Sequence, residues 1–379
     1  MSNIQRDPQG SERRPARHTK YLVFSVVILA AAVVAVVLVS SNSGPRYFSR
    51  HHDLRAVAFP DVGHAWAIAD VYQAGGFSIT GGAIRATTNG GVTWNEQESA
   101  TTWCSPSNVA FANARCGWVL GSAQPASGAL PPSDPNVMLA TTDDGATWKR
   151  QDTGTSHTGI ELSNLACASP QDAWAVGGAG ANIGVVLATT DGGATWKRQW
   201  QAADGGLENV AFADARHGWA VGDGVILATT DGGSTWKKQG LITRYVLTDV
   251  ACAGADHAWA LGAGDSSNRD VILATSDGGA TWKVQYASAR MRMAGMAFAD
   301  TSHGWVVGLG GVILATTDGG TSWRPQRSGT TLDLLDVAFA DATHGVAVGD
   351  RSKGDDPLAA QFIGSIVLRT TDGGATWTK

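Results

Sequence analysis

An eight-residue phrase recurs seven times along the chain, and its period constrains the fold more than any other feature. The phrase reads Thr, any residue, Asp or Asn, any residue, Gly, any residue, Thr or Ser, Trp. Successive tryptophans of the phrase lie 40 to 54 residues apart. A fixed motif at such a period predicts a repeat architecture with one supersecondary unit per copy. The copies are Thr87–Trp94, Thr141–Trp148, Thr189–Trp196, Thr229–Trp236, Thr275–Trp282, Thr316–Trp323 and Thr370–Trp377.

A second phrase accompanies the first and completes each unit. It reads VAFADARHGWAVG at Val210–Gly222 and returns, sometimes degenerate, in all seven units. Each unit thus contains four short runs of the type VAF, GWAVG, VILATT and TWKRQ, bounded by Gly, Asp and Asn. Runs rich in β-branched and aromatic residues between such turns predict strands and hairpins. Seven four-stranded units predict an all-β, seven-bladed β-propeller over residues 54–379.

Most of the tryptophans occupy fixed positions in the repeat. Of 15 in the chain, seven close the eight-residue phrases and six begin the second run of a unit, where the seventh unit has Val346. Distribution over every unit favours wedges between blades over a sugar-stacking platform, which would gather aromatic rings on one face. The six are Trp66, Trp118, Trp174, Trp219, Trp259 and Trp305.

The acidic residue of the eight-residue phrase has a local structural explanation. Its carboxylate can accept backbone N–H bonds across the turn, and the following Gly permits a positive φ. Asn89 replaces the aspartate in the first copy, so the turn needs no charge. We therefore expect no catalytic or metal-binding role at these turns, which we call Asp-box turns.

Histidines repeat at the first hairpin turn of five units, and we expect them to pair with nearby aspartates such as Asp61, Asp214, Asp300 and Asp341. Distribution around a ring keeps them too far apart to bind one metal ion. No metal or cofactor motif is apparent elsewhere. These histidines are His64, His217, His257, His303 and His344.

The N-terminus predicts a membrane anchor. Tyr21–Ser40 contains no charged residue, and a helix of 20 residues covers about 30 Å, one hydrocarbon core. Residues 1–20 are basic, so the positive-inside rule predicts a cytoplasmic tail and an extracytoplasmic propeller, periplasmic or extracellular. The run is longer than a signal-peptide core, which favours an uncleaved signal anchor over a cleaved signal peptide. Residues 41–53 form a polar linker.

The charge and the cysteine positions give no indication of nucleic-acid binding or of a disulfide framework. The net charge of −5, with no basic run beyond the tail, gives no indication of nucleic-acid binding. Cys167 and Cys252 replace the Phe of the VAF run and are expected in the core. A bond between Cys104 and Cys116 would join opposite ends of one hairpin, so free thiols are expected.

Loop lengths point to one side of the ring. The second-to-third-strand loops Asp70–Gly82, Ser122–Asn136 and Asp350–Ser365 are long and belong to consecutive blades. In repeat proteins, insertions concentrate on the binding face. We expect these loops to form a wall beside the mouth of the central channel.

A polar ring is expected at that mouth. Two of its carboxylates, Asp249 and Asp336, lie two blades apart, and a pair of acids flanking a cleft is what glycoside hydrolysis requires. The structural alternative is that Asn and Asp cap the preceding loop. The ring is Asn108, Asn164, Asn209, Asp249 and Asp336, with Ala56 and Gly295 at the remaining positions.

Taken as a whole, the unit LxxVAFADxxHGWAVGxxGVILATTDGGxTWKxQ resembles the repeat of the photosystem II stability/assembly factor family over Leu54–Lys379. The resemblance implies an extracytoplasmic seven-bladed propeller that binds membrane-protein assembly intermediates, has no catalytic role and carries a basic patch. The counterpart of that patch, and so the expected partner-binding set, is Arg244, Arg290, Arg292, Arg324 and Arg327.

The Asp-box turn also resembles the bacterial neuraminidase repeat. Sialidases need clustered arginines and an activated tyrosine, whereas this propeller holds only Tyr72, Tyr245 and Tyr286 and has no Arg-Ile-Pro segment before the first blade. We therefore predict a membrane-anchored propeller that binds a membrane or extracytoplasmic protein as an assembly or scaffold factor. The alternative is a glycan-binding or glycoside hydrolase propeller that uses the channel mouth.

Overall fold

The computed structural model describes residues 52–72, 79–100, 104–123, 135–180, 182–203, 205–240, 245–264, 269–289, 291–350 and 365–379. Within these ranges no helix is long and apolar enough to cross a membrane. The predicted anchor Tyr21–Ser40, its basic tail and most of the linker lie outside them. So do the central parts of the three long loops, at 73–78, 124–134 and 351–364.

The described chain forms seven antiparallel sheets, each a meander of strands in sequence order. Blade 1 consists of β1 His52–Ala58, β2 Ala65–Tyr72, β3 Ile79–Thr87 and β4 Asn95–Ala100, and blade 2 of β5 Cys104–Phe111, β6 Gly117–Ala123, β7 Asn136–Thr141 and β8 Lys149–Gln151. Blade 3 consists of β9 Ile160–Cys167, β10 Ala173–Ala179, β11 Ile183–Thr189 and β12 Lys197–Ala202. Blade 4 consists of β13 Leu207–Phe212, β14 Gly218–Gly222, β15 Val225–Thr229 and β16 Lys237–Lys238.

The last three sheets are blades 5 to 7. Blade 5 consists of β17 Tyr245–Ala253, β18 His257–Gly264, β19 Asp270–Thr275 and β20 Lys283–Ser288. Blade 6 consists of β21 Met293–Phe298, β22 Gly304–Gly308, β23 Val312–Thr316 and β24 Arg324–Pro325, with a short 3₁₀ turn at Leu309–Gly311. Blade 7 consists of β25 Asp333–Phe339, β26 Gly345–Asp350 and β27 Ile366–Thr370. Blade 7 has three strands, and beyond them a single bridge joins Arg369 to Thr378.

The seven sheets close into a ring. The first strand of each blade contacts the first strand of the next, and β25 of blade 7 contacts β1 of blade 1. The predicted seven-bladed propeller is therefore confirmed. The first strands line a central channel. The first hairpin turn and the Asp-box turn of each blade lie at the same end, since Gly90 N–H bonds to the Gly63 carbonyl and Gly232 N–H to the Arg216 carbonyl.

The core consists of seven apolar clusters, and each joins two neighbouring blades. The six second-row tryptophans are at most 2% exposed and lie in these clusters, which confirms the expectation of wedges. The Asp-box tryptophans are less deeply placed: Trp196 is buried and the other six are half-buried. The largest apolar rings therefore stabilise the contacts between blades.

Four of the second-row tryptophans stack flat on a phenylalanine of the next blade. The ring centroids are 3.7 Å apart for Trp66–Phe111, 3.5 Å for Trp174–Phe212 and Trp259–Phe298, and 3.4 Å for Trp305–Phe339. In the other two interfaces with such a tryptophan, Cys167 and Cys252 take the phenylalanine position and are free thiols packed against the core. Their expected core location is confirmed.

Asp-box turns have the expected bonding. In the third copy, Asp191 Oδ1 accepts the N–H of Thr195 at 2.8 Å, and Thr189 Oγ1 accepts the N–H of Gly193 at 2.8 Å. The hydroxyl bond of Thr195, followed by its N–H bond and the bond of Thr189, lowers the pKa of Asp191 to about 2. Asn89 makes the same bond to the N–H of Thr93 at 2.9 Å. The turns are thus structural in geometry, and the first copy forms without a charge.

The histidine–aspartate pairs are also confirmed. The Nδ1 atoms of His64, His217, His303 and His344 lie 2.9–3.1 Å from carboxylate oxygens of Asp61, Asp214, Asp300 and Asp341. Burial opposes ionisation of these aspartates, but the histidine and backbone N–H bonds outweigh it and lower their pKa values. Each pair stabilises the first hairpin turn of its own blade.

Candidate functional site: the channel mouth and the arginine rim

A β-bulge in every blade directs the predicted ring residue. In six blades the register of the first two strands shifts across the residue before the ring position, as between Leu207 and Asn209. The same shift occurs at Leu54/Ala56, Pro106/Asn108, Leu247/Asp249, Met293/Gly295 and Leu334/Asp336, and in blade 3 it lies between the partners Leu162 and Asn164. A bulge bends the strand and redirects its side chains. The first strands are sheet edges that face the channel, so these side chains can reach otherwise unpaired backbone groups.

Asp249 links three blades at this level. Its Oδ2 accepts the N–H of Met296 in blade 6 at 2.7 Å. Its Oδ1 accepts the N–H of Val250 at 2.8 Å and the side-chain amide of Asn209 in blade 4 at 2.7 Å. The carboxylate thus satisfies an edge N–H of its own blade and one of the next blade, in addition to an amide from the preceding one.

Asp336 repeats this arrangement across the join between the last blade and the first. Its Oδ2 accepts the N–H of Val57 at 2.8 Å, and its Oδ1 accepts the N–H of Val337 at 2.8 Å. Gly295 leaves room beside it, because a Cβ there would lie 2.9 Å from the Leu335 carbonyl oxygen and 3.2 Å from Asp336 Oδ1. The ring residues therefore connect edge strands.

Both carboxyl groups have strongly raised pKa values. Desolvation raises the pKa of Asp249 to about 7, against the lowering effect of the Met296 and Val250 N–H bonds. Desolvation raises the pKa of Asp336 to about 7, with a further contribution from the negative charge of Asp249. Both residues are half-buried. Near neutral pH each can therefore hold or release a proton, which suits a general acid or a pH-dependent structural link.

The remaining ring residues are not equivalent. Asn209 donates to Asp249, whereas the buried Oδ1 of Asn108 has no hydrogen-bond partner among the described residues. Asn164 is half-buried at the same level in blade 3. The structure thus brings Asn209 and Asp249 together and leaves Asn108 with an unsatisfied buried acceptor among the described residues.

The predicted arginine set divides into two places. Arg244 and Arg290 lie outside the described residues. Arg292 is exposed and immediately precedes β21, the innermost strand of blade 6. Arg324 and Arg327 are exposed at and just after β24, the outermost strand of the same blade. Three strand spacings of about 4.8 Å separate these strands, so Arg292 lies about 14 Å across the blade from the other two.

Sequence reasoning missed an ionic network in blade 1 between a buried Asp70 and an exposed Arg55. Asp70 is fully buried; its Oδ2 accepts Nε of Arg55 at 2.7 Å, and its Oδ1 accepts the hydroxyl of Ser105 in blade 2 at 2.5 Å. Arg55 occupies the bulge position, where the other blades have Ser, Glu, Thr, Ala or Leu. A signal was present: this is the only unit with a cation at that position, four residues ahead of the first hairpin turn.

The comparisons with known proteins agree on the fold. Residues 238–327 match the family model described as Photosynthesis system II assembly factor YCF48. The expected resemblance of the repeat to that family is thus confirmed. No protein of curated function matches the sequence.

Solved structures of similar architecture include two of YCF48. The structure described as YCF48 bound to D1 peptide has a TM-score of 0.58 and 17% identity, over 86% of this chain and 95% of that chain. YCF48 from Cyanidioschyzon merolae has a TM-score of 0.56 and 18% identity, over 86% of this chain and 97% of that chain. The Niastella koreensis GH74 enzyme has a TM-score of 0.57 and 14% identity, over 87% of this chain and 66% of that chain. At these identities the likeness establishes the propeller fold alone.

Proposed function

We propose that this chain is a membrane-anchored extracytoplasmic propeller that binds a segment of a membrane protein and acts as an assembly or scaffold factor. One observation carries the proposal. The stretch that matches the assembly-factor model, residues 238–327, contains all five arginines of the predicted partner-binding set. One of the similar folds is described as bound to a peptide, which supports a peptide ligand here.

Arg324 and Arg327, which we call the arginine rim, fit a partner segment that carries acidic side chains or another carboxylate. The guanidinium groups of Arg324 and Arg327 are exposed, and a planar guanidinium binds a carboxylate with two parallel hydrogen bonds. The two positions are three residues apart on one blade edge. An extended peptide that follows this edge could contact both with successive acidic groups.

The anchor is part of the proposal. A span at Tyr21–Ser40 would hold the propeller on the extracytoplasmic side, and the 11 residues between this span and β1 (41–51) would reach at most about 40 Å. A binding surface so close to the bilayer would meet membrane proteins and their exposed segments. Protease protection of the N-terminal tail in right-side-out vesicles tests this orientation: the tail must resist digestion while the propeller remains accessible.

Charge reversal tests the partner site. We expect site-specific photo-crosslinking from position 327 in intact membranes to yield an adduct with a membrane protein, and Arg324→Glu to reduce that adduct at least several-fold. The matched control is Lys237→Glu/Lys238→Glu, which reverses two exposed cations on the outermost strand of blade 4. Equal loss in both variants would indicate general electrostatics, and an unchanged adduct in Arg324→Glu would refute the site.

The alternative function at the channel mouth keeps one supporting observation, the raised pKa values of Asp249 and Asp336. Against it, both oxygens of each carboxylate already accept backbone N–H bonds, so neither is free to attack a glycosidic carbon. Asp249→Asn and Asp336→Asn decide the matter in a glycan-hydrolysis assay. Turnover by the wild type that disappears in both variants would favour a hydrolase over a scaffold.

A further inference from the structure

Three methionines occur within six residues at the innermost strand of blade 6. Met291 precedes β21, and Met293 and Met296 belong to it. All three pack on the apolar cluster between blades 5 and 6, where Met296 is 5% exposed and the other two are half-buried. Of the five methionines in the chain, the remaining two are Met1 and Met138. Blade 6 therefore concentrates thioether groups at one join of the ring.

Other blades show what packing alone requires at these positions, which lie seven, five and two residues before the Phe or Cys of the VAF run. In blades 3 and 7 all three positions are aliphatic, and each triplet packs on the cluster of its own join. An aliphatic triplet is thus sufficient to fill the space, and the three sulfur atoms of blade 6 are not needed for packing. The two triplets are Ile160, Leu162 and Leu165 in blade 3 and Leu332, Leu334 and Val337 in blade 7.

The β-bulge of blade 6 places the three methionines on one face of the strand. In a regular strand, residues three apart point to opposite faces. The register shifts between Met293 and Gly295, however, so Met296 faces the same cluster as Met293. Arg292, between the two outer methionines, is exposed. The spacing Met-x-Met-x-x-Met thus becomes a single group of side chains.

Two polar groups adjoin this group. The hydroxyl of Tyr286, on the outermost strand of blade 5, donates to Sδ of Met291 at 3.4 Å. The half-buried carboxylate of Asp270 accepts the N–H of Met293 through Oδ2 at 3.2 Å. One sulfur lone pair is therefore directed at a polar partner, and a carboxylate lies next to the methionine backbone. A cation is tolerated in a partly buried place only when ligands or an opposite charge are near.

We propose that Met291, Met293 and Met296 form a thioether site for Cu(I). Thioether sulfur is a soft ligand, and soft ligands select Cu(I) over calcium and magnesium; zinc sites use thiolate, imidazole and carboxylate ligands instead. Methionine has three rotatable bonds, so the side chains can turn their sulfur atoms toward one ion while the strand stays in place. The two half-buried methionines admit the ion from solvent, and Met296 supplies the third sulfur inside the cluster.

Methyl NMR of the full-length protein in detergent micelles tests the site with Ag(I), a soft monovalent ion that does not change its oxidation state. In protein labelled with ¹³C at the methionine methyl groups, we expect the signals of Met291, Met293 and Met296 to shift together. The signal of Met138, fully buried in the join between blades 2 and 3, must stay in place, and Zn(II) must shift none of the three. Silver bound by the cysteines without any methionine shift would refute the site. A shift confined to Met291 would indicate a single accessible thioether and would refute it as well.

Leucine substitution separates metal binding from packing. Met293→Leu gives blade 6 the residue that blades 3 and 7 have at this position, and the exchange conserves volume, so we expect the variant to fold. It should bind Ag(I) at least about tenfold more weakly, as measured by the methyl shifts of Met291 and Met296, since losing even an outer partner of a metal ligand commonly costs that much. The matched control Met138→Leu must leave the affinity unchanged.

Cu(I) itself completes the test. Supplied without oxygen and in the presence of ascorbate, it must shift the same three methyl signals as Ag(I). Unchanged silver affinity in Met293→Leu, or copper that leaves these signals in place, would overturn the proposal.

Discussion

The sharpest test of the packing scheme is Gly218→Ala in blade 4. Replacing a strand glycine by alanine ordinarily stabilises by about 0.5–1 kcal/mol, since glycine loses more conformational freedom on folding. Here the opposite sign is expected. A Cβ at Gly218 would lie 2.5 Å from Cε1 of Phe212, and the Phe212 ring is held on its other face by Trp174 at a centroid distance of 3.5 Å.

The magnitude follows from the missing space. The new methyl group requires a displacement of about 1 Å from a ring confined on both faces, and overpacking of this kind costs about 1–3 kcal/mol. Two blades show how the conflict is avoided in the native chain: Cys167 lies opposite Ala173, and Cys252 opposite Ala258. The small thiol leaves room for the alanine methyl.

Phe212→Cys should therefore rescue Gly218→Ala. The cysteine variant alone loses the ring and its stack on Trp174, at a cost of up to about 3 kcal/mol for a half-buried phenylalanine. In that background the added methyl group has no ring to displace, so Gly218→Ala should be neutral or stabilising. We expect a coupling free energy of about 1–3 kcal/mol in the double-mutant cycle.

Guanidinium unfolding of the purified protein, followed by tryptophan fluorescence, measures the four free energies of unfolding. Ala173→Gly is the matched control in blade 3, where Cys167 imposes no conflict, and it should destabilise by no more than about 1 kcal/mol. If Gly218→Ala has the same effect with Phe212 as with cysteine, or stabilises the wild type, the steric explanation of the Phe–Gly pairing is incorrect.

Three further outcomes follow from the geometry. The pKa values of Asp249 and Asp336 are raised to about 7, above the ordinary 3.8, so their contribution to the free energy of unfolding is fully present below pH 3.8 and is lost as the pH rises through 7. Urea titrations should show a loss of about 2 kcal/mol per carboxyl group between pH 5.5 and 8, which disappears in Asp→Asn variants that still fold. In the Asp-box turn, Asp191→Asn should lower the melting temperature less than Asp191→Ala, because Asn89 already makes the same turn bond in blade 1; thermal denaturation ranks the two variants. Trp305→Ala should lower the free energy of unfolding by about 3–5 kcal/mol, because the side chain is fully buried and stacked on Phe339.

Repetition made most of the fold predictable. Seven copies of each phrase identify the blades, and the position of each Trp within the phrase identifies the surfaces between them. Local patterns were sufficient for the Asp-box turns and for pairs such as His217 with Asp214, because their partners lie three or four residues away. No such signal exists for Asp336 and Val57, which meet only when the ring closes, 279 residues apart in sequence.

In the candidate site, too, local contacts were predictable from the sequence and long-range positions were not. Five arginines in one sequence region predicted one patch, but Arg292 belongs to the innermost side of blade 6 and Arg324 to its outermost strand. Sequence distance does not reveal position across a sheet, because the chain traverses the whole blade in about 30 residues. Likewise, the acid pair was recognised by position, while the bulges that turn both carboxylates toward edge N–H groups were not.

The join between blades 7 and 1 shows why the ring residues matter. The joins on either side of it, between blades 6 and 7 and between blades 1 and 2, each contain a buried second-row tryptophan. At the join between blades 7 and 1 the chain has Val346 in that position, and Phe59 packs in the cluster with Leu54, Val57 and Val348 instead. Less apolar surface is available, so polar links contribute relatively more. Asp336 supplies one at the channel through the N–H of Val57.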